Sequence, residues 1–166
     1  MKRHRLNLIK IILLCLTLTL LMPVTVLAAD ASAINRAFLD DINALRASQG
    51  LGKLEMDNSL VSVAKVRAEE ASTTWSHTRP NGTQGVSMLP KDKWRGENLA
   101  YVQYGEFTFS SAEQTEAEQL MFANLKASPT HLANMVHKNF TKIGIYTYVS
   151  QTGSGTKLTS AFMFTN

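Results

Sequence analysis

The chain has 166 residues, 45% of them hydrophobic and 18% charged, and its 17 Lys and Arg exceed its 13 Asp and Glu by four. Four of those basic residues and none of the acidic ones lie in residues 1–28, so the remainder is neutral and offers no electrostatic footing for nucleic acid or an anionic membrane. The one cysteine, Cys15, falls in the same segment, which excludes a disulfide scaffold, a Cys-ligated zinc and a thiol nucleophile from residues 29–166.

Residues 1–28 read as a secretory signal peptide. Lys2, Arg3, Arg5 and Lys10 form a basic start, Ile11 to Ala28 is almost wholly apolar, and Val26-Leu27-Ala28 offers a small-residue cleavage site. An uncleaved anchor is the alternative, because the apolar run approaches the roughly 20 residues of a membrane span. Leu14 before Cys15 argues against a lipoprotein signal. Export with no disulfide points to a bacterial source, and the protein is expected to be secreted or associated with the cell wall. Residues 29–32 form a short leader, and residues 33–166 are enough for one domain around one core.

From Ala33 the spacing predicts a helix with Ile34, Phe38, Ile42 and Leu45 on one stripe, stopped by Gly50 and Gly52. Asp57 or Asn58 caps a second helix, on which Leu60, Ala64, Ala68 and Ala71 form a small-residue face; Arg67, Glu69 and Glu70 lie largely off it. Trp75 to Arg95 is loop-like and rich in turn signals such as Pro80-Asn81-Gly82. Such a stretch inside a small domain is more often functional than idle. Asn98 to Tyr104 reads as a short strand. Ser110-Ser111-Ala112-Glu113 resembles a capping box opening a helix through Asn124, with Ala117, Leu120 and Met121 inward. Ser128-Pro129 opens a short helix through His137. Lys142–Val149 and Leu158–Phe164 read as strands of a hairpin joined by Gln151–Thr156. Helices first and a small antiparallel sheet late make the fold class α+β.

His77, His131 and His137 remain once residues 1–28 are set aside. His131 and His137 lack the i, i+4 spacing of a zinc-protease helix, so His137 reads as a surface or helix-end residue. His77 and His131 each sit in polar, turn-rich company, and each alone is more often a hydrogen-bonded structural residue than a ligand. Glu97, in R-G-E-N-L, is a carboxylate at the start of an apolar strand. Two imidazoles and a carboxylate could make an open zinc site if the fold joins them. No G-x-S-x-G nucleophile elbow and no phosphate-binding glycine loop occurs.

Read in order, six segments resemble the CAP superfamily, the SCP or PR-1-like domain. They are D-I-N-A-L-R-A-S-Q-G-L-G-K-L from Asp41, D-N-S-L-V-S-V-A-K-V-R-A-E-E-A-S from Asp57, S-H-T-R-P-N-G from Ser76, G-E-N-L-A from Gly96, S-P-T-H-L-A-N-M from Ser128 and N-F-T-K-I-G-I-Y from Asn139. The resemblance implies an α-β-α sandwich and a central cleft. His77 and His131 carry over as its paired histidines and Glu97 as its first acid, with Arg79, Asn98, Ser128 and Asn134 as supporting residues. In some members the histidines bind zinc or another divalent cation. The chain departs from the pattern at Ser128, where a second acid is expected, at Leu125, where many members have tryptophan, and at Leu132, which replaces an arginine.

Three functions follow as expectations. The first is a secreted, non-catalytic binding protein whose cleft takes a divalent cation, a small apolar ligand, or a cell-envelope or host component. It would act as a monomer, without nucleic acid, and would touch membrane only through an uncleaved signal segment. The second is a metal-assisted, protease-like hydrolase using the same cleft. The third is a polar cluster of structural purpose, with function on a variable surface.

Overall fold

The computed structural model describes residues 27–166. Nearly all of the expected signal segment lies outside the described residues. Helix α1 spans Leu27–Ser48, so it takes in the expected leader and begins before Ala33. The stretch L-A-A-D-A-S-A is rich in alanine, the strongest helix former, and contains no residue that would force a later start. Ile34, Phe38 and Ile42 are buried along one face. No described helix is long and apolar enough to cross a membrane.

Strand β1 is only Glu55–Met56. Helix α2 spans Asn58–Thr73, capped by Asp57, whose carboxylate accepts from the amides of Ser59 and Leu60. A 3₁₀ turn at Gly85–Met88 interrupts the loop that follows. Strand β2 spans Arg95–Tyr104, starting three residues before the expected Asn98. Helix α3 spans Ser111–Ala127 and opens with the Ser110–Glu113 capping box in full. Helix α4 spans Pro129–Met135, with Pro129 in its first turn. Strands β3, Lys142–Thr152, and β4, Gly155–Thr165, close a tighter hairpin than expected, pairing up to Thr152 and Gly155.

The sheet order is β1-β3-β4-β2. The three long strands are antiparallel, and β1 pairs parallel to β3 through Glu55–Lys142 and Met56–Ile143, which makes the sheet mixed. Strand β4 is central and alternates its side chains between two cores. Leu158, Phe162 and Phe164 join Phe38, Ile42, Met121 and Leu125 from α1 and α3, with Phe38 edge-on to Phe162 at 4.9 Å. Ala161 and Met163 face Leu60, Ala64, Ala68 and Ala71 of α2. The result is the expected α-β-α layering.

The alanine face of α2 permits a close approach. A Cβ on Gly144 of β3 would lie 2.1 Å from the Leu60 carbonyl carbon, so only glycine lets the helix backbone rest on the strand. Arg46, in the last turn of α1, is also buried. It donates to the carbonyls of Gly52 (2.7 Å), Met135 (2.9 Å), His137 (3.1 Å) and Phe140 (3.1 Å), tying α1 to the end of α4.

Two side chains depart from the expected orientation. Leu120 is 47% exposed, whereas Glu118 is 3% exposed. The inward stripe of α3 runs through Ala117, Met121 and Leu125 and is broadened on the Glu118 side, not the Leu120 side. Arg67 is fully buried rather than off the α2 stripe. It follows Ala64 by three residues and Ala71 follows it by four, so it shares the inner edge of the helix.

Candidate functional site

Arg67 is the anchor of a polar network between α2, the following loop and β2. Its Nε donates to Glu97 Oε2 at 2.7 Å, its Nη2 to the Ser76 carbonyl at 2.8 Å, and its Nη1 to Glu70. Burial opposes the charge of Arg67, but the hydrogen bonds and charges of Glu97 and Glu70 outweigh it and raise its pKa above the ordinary guanidinium value. Burial likewise works against the Glu70 carboxylate, and Arg79 and then Arg67 overcome it to lower its pKa. Arg79 grips Glu70 through Nε at 3.1 Å and Nη2 at 2.9 Å, which fastens the loop carrying His77 to α2.

Glu97, 6% exposed, uses its other oxygen on His77: Oε1 lies 2.7 Å from Nδ1. The His77 side chain is 53% exposed, so its ring stands in the cleft mouth with one nitrogen held. The loop between them is closed by the Arg79 amide donating to the Thr83 carbonyl (2.7 Å) and the Gly85 amide donating to the His77 carbonyl (2.9 Å). Gly85 lies against the ion pair itself. A Cβ there would fall 1.9 Å from Glu97 Oε2 and 2.6 Å from Arg67 Nε. Gly85→Ala is therefore expected to lower stability by about 1–3 kcal/mol, the usual cost of overpacking. Urea denaturation measures it; an unchanged midpoint would mean that the loop moves aside freely.

His131 arrives from α4. Asn98 Nδ2 donates to the His131 carbonyl at 2.9 Å, and Asn134 Nδ2 donates to the Glu97 carbonyl (3.1 Å) and to Asn98 Oδ1 (2.8 Å). These two asparagines lock α4 to β2. The His77 and His131 ring centroids are then 6.3 Å apart with planes tilted by 48°. Burial, and then the neighbouring His77, lower the pKa of His131 below the ordinary imidazole value. Ser128 sits at the N-terminal cap of α4 without capping it, its Oγ 3.2 Å from Thr130 Oγ1. His137 lies past the end of α4, packed 4.5 Å from Phe140 and 5.1 Å from Trp94, away from the pair.

Two hollows open beside the imidazoles. One, of about 270 Å³, is lined by His77, Gln84, Arg95, Glu97 and Asn134 among others. The second, of about 230 Å³, is lined by His131, Ser128, Asn124, Trp75 and Tyr101 with an apolar floor.

The cysteine-rich secretory protein family, abbreviated CAP, matches residues 39–165. The chain belongs to the CAP family. It does so with a single cysteine, outside the matched residues. Among solved structures, this CAP domain is similar to an outer surface protein from Borrelia burgdorferi (21% identity, TM-score 0.61, covering 81% of this chain and 92% of that one). It is also similar to an extracellular protein containing an SCP domain from Bacillus anthracis (19% identity, TM-score 0.58, 82% of this chain and 41% of that one). A third is the manganese-bound Ancylostoma-secreted protein Ac-ASP-7 (12% identity, TM-score 0.56, 80% of this chain and 67% of that one). These likenesses concern the fold. No curated protein matches the chain.

The CAP fold thus brings His77, Glu97 and His131 into one cleft, with Arg79, Asn98 and Asn134 holding the elements that carry them. It does not bring them together as three ligands. Among the described residues no cluster of three or more His, Cys, Asp and Glu side chains is placed to hold a metal ion. Both Glu97 oxygens are engaged, one by Arg67 and one by His77, so this carboxylate orients an imidazole instead of presenting itself to an ion. Two imidazoles are left as the donor set, one fewer than the three protein ligands of a catalytic zinc. Sequence reasoning missed Arg67, Glu70 and Gly85. The signal for the first two was present as Arg67 and Glu70 three apart on one helix; nothing local marks Gly85, whose neighbour Glu97 is brought in by the sheet.

Proposed function

We propose that this CAP protein acts outside the cell as a non-catalytic binding module, with the His77–His131 cleft as its binding site. The observation that carries this reading is the full engagement of Glu97, which leaves a cleft with an ordered imidazole and, among the described residues, no free carboxylate. A general base must be able to reach the proton that it abstracts, and Glu97 is tied to Arg67. The hydrolase reading therefore finds less support. An exported location is supported by the basic and apolar N-terminal segment and by likeness to proteins described as extracellular or outer surface. The neutral charge of residues 29–166 argues for a small ligand, or a cell-envelope or host component, over nucleic acid.

His77 and His131 are the residues that would hold a divalent cation, as a weak two-imidazole site completed by water. A bound cation would supply Lewis acidity toward an oxygen of a ligand. Glu97 would keep the His77 ring oriented. The manganese carried by one structural relative motivates the choice of ions.

Calorimetric titration of the full chain with zinc, manganese and calcium tests the proposal. Zinc is expected to bind and to weaken at least tenfold in His131→Ala. Affinity should also fall below about pH 6, because imidazoles bind metal only when neutral. Unchanged affinity in a His77→Ala, His131→Ala double variant would remove the histidines from any cation site.

The burial of Arg67 favours one second reading, in which the network is structural and function lies elsewhere. On that reading His77→Ala lowers the unfolding midpoint and leaves every cleft titration unaltered.

A further inference from the structure

Among the described residues, six large hydrophobic side chains are exposed, and two of them, Trp75 and Tyr101, meet at one hollow. Their rings are 4.7 Å apart, inclined by 71°, and 48% and 46% exposed. The pair is held in place. Lys157 Nζ lies 4.8 Å from the Tyr101 ring and donates to the Ser72 carbonyl at 3.1 Å, which links β4, Tyr101 and the end of α2. Two amphipathic rings held half in water form an exposed aromatic surface of the kind that marks binding sites.

The rest of the hollow defines what would complete it. Leu99 and Leu125, both buried, form an apolar floor, while Asn124, Ser128 and His131 supply polar groups around it. Among the described residues, no acidic or basic side chain other than the imidazole lines the space. The His131 imidazole brings ring nitrogens that take part in hydrogen bonds. The amide and the hydroxyl both donate and accept. An alkyl chain would cover the aromatics but leave three polar groups unpaired. A cationic ligand would find no carboxylate among the lining side chains, and the nearby ammonium, that of Lys157, is already engaged by the Tyr101 ring and the Ser72 carbonyl.

We infer that the hollow between Trp75, Tyr101 and His131 binds one ring of a neutral saccharide. A saccharide ring has an apolar C–H face, which suits the exposed aromatic pair. Its rim carries hydroxyls that donate and accept, which suits Asn124, Ser128 and His131. At about 230 Å³ the space is smaller than the roughly 300–1,000 Å³ of a drug-sized pocket, so a single ring enters and further rings run along the cleft. The second hollow, opening at His77, gives them room. The inference rests on the cleft being a binding site, and it does not depend on a cation.

The test is a nuclear magnetic resonance titration of the full chain with cellotetraose, chitotetraose and maltotetraose, following the two indole N–H signals. At least one saccharide should shift the Trp75 signal saturably at millimolar concentration and bind more tightly than its monosaccharide. Trp75→Ala and Tyr101→Ala should each weaken it tenfold or more. Trp94→Ala, which alters an exposed indole beside His137 instead, should not. Trp75 is half exposed, so its removal is expected to leave the thermal melt nearly unchanged, and Ser128→Ala provides a milder second variant. No Trp75 shift with any of the three sugars would overturn the inference, as would decanoate binding that depends on Trp75. A null result with sugars alongside zinc binding that depends on His131 would sink the saccharide and keep the cleft. Sugar binding without zinc binding would do the reverse for the cation.

Discussion

Replacing Arg67 with alanine is expected to destabilise the protein by about 3–5 kcal/mol, the cost of leaving one partner of a buried ion pair uncompensated. For a domain of this size that lowers the melting temperature by roughly 10–15 °C. The Arg67 side chain is fully buried and the Glu97 side chain is 3% exposed, so water cannot readily replace the lost guanidinium. Glu70 and the Ser76 carbonyl lose a donor as well. The change should disturb the cleft in a specific way. Glu97 would keep only His77 as a side-chain partner, and the loop from Ser76 to Gly85 would lose one tie to α2, keeping the one between Arg79 and Glu70. Thermal melts give the stability change, and the His77 ring signals report loss of order. Arg67→Lys should recover little, because a lysine ammonium cannot serve three acceptors in the planar fork of a guanidinium. A melt within about 1 kcal/mol of wild type for Arg67→Ala would show that the network contributes almost nothing to stability.

The second large effect concerns Glu118 on α3. Burial, and secondarily the charge of Asp41 on α1, push its carboxyl up to about 7 from an ordinary 4.5. One of its oxygens, Oε1, is buried with no hydrogen-bond partner. Below pH 4.5 the group is protonated in both folded and unfolded chains and costs nothing in ionisation. As pH rises from 4.5 to 7 the unfolded chain ionises first, and the protein loses stability. Above 7 the folded form ionises too, and the loss levels off. The size of the shift corresponds to about 3 kcal/mol across that window. Glu118→Gln cannot ionise, so its stability should exceed wild type by about 2–3 kcal/mol at pH 8 and differ little at pH 4.5. Urea denaturation of both proteins at the two pH values decides the matter. Parallel pH profiles would mean that Glu118 is hydrated enough to ionise normally.

Glu118 also shows where pattern reading fails. A helical stripe chosen by hydrophobicity puts Leu120 inside, yet the neighbours of α3 sit on the other flank of Ala117 and Met121. Periodicity defines the axis of a face, and packing partners decide its edges. Arg67 is the same error with the opposite outcome. Its charge suggested the solvent side, but Glu97 and Glu70 meet it within the protein, so its burial is compensated. Strand β1 escaped notice because two residues carry no alternation; it exists because β3 offers an edge.

The sequence by itself determined most of the element order. Local signals did this: the Asp57 cap, the Ser110–Glu113 box, the Pro129 start and the alternation of β3 and β4 each act over a few residues. The motifs also named His77, Glu97 and His131, and their resemblance to CAP proteins implied that they share a cleft. Only the tertiary structure decided what the three do to one another. Glu97 faces Arg67 because α2 packs on β3 and β4 while β2 pairs with β4, and it is 30 residues from Arg67 in the chain. That contact turns a candidate ligand into the support of one. The geometry of a carboxylate depends on which donors reach it first, and those donors come from elements that no sequence window spans.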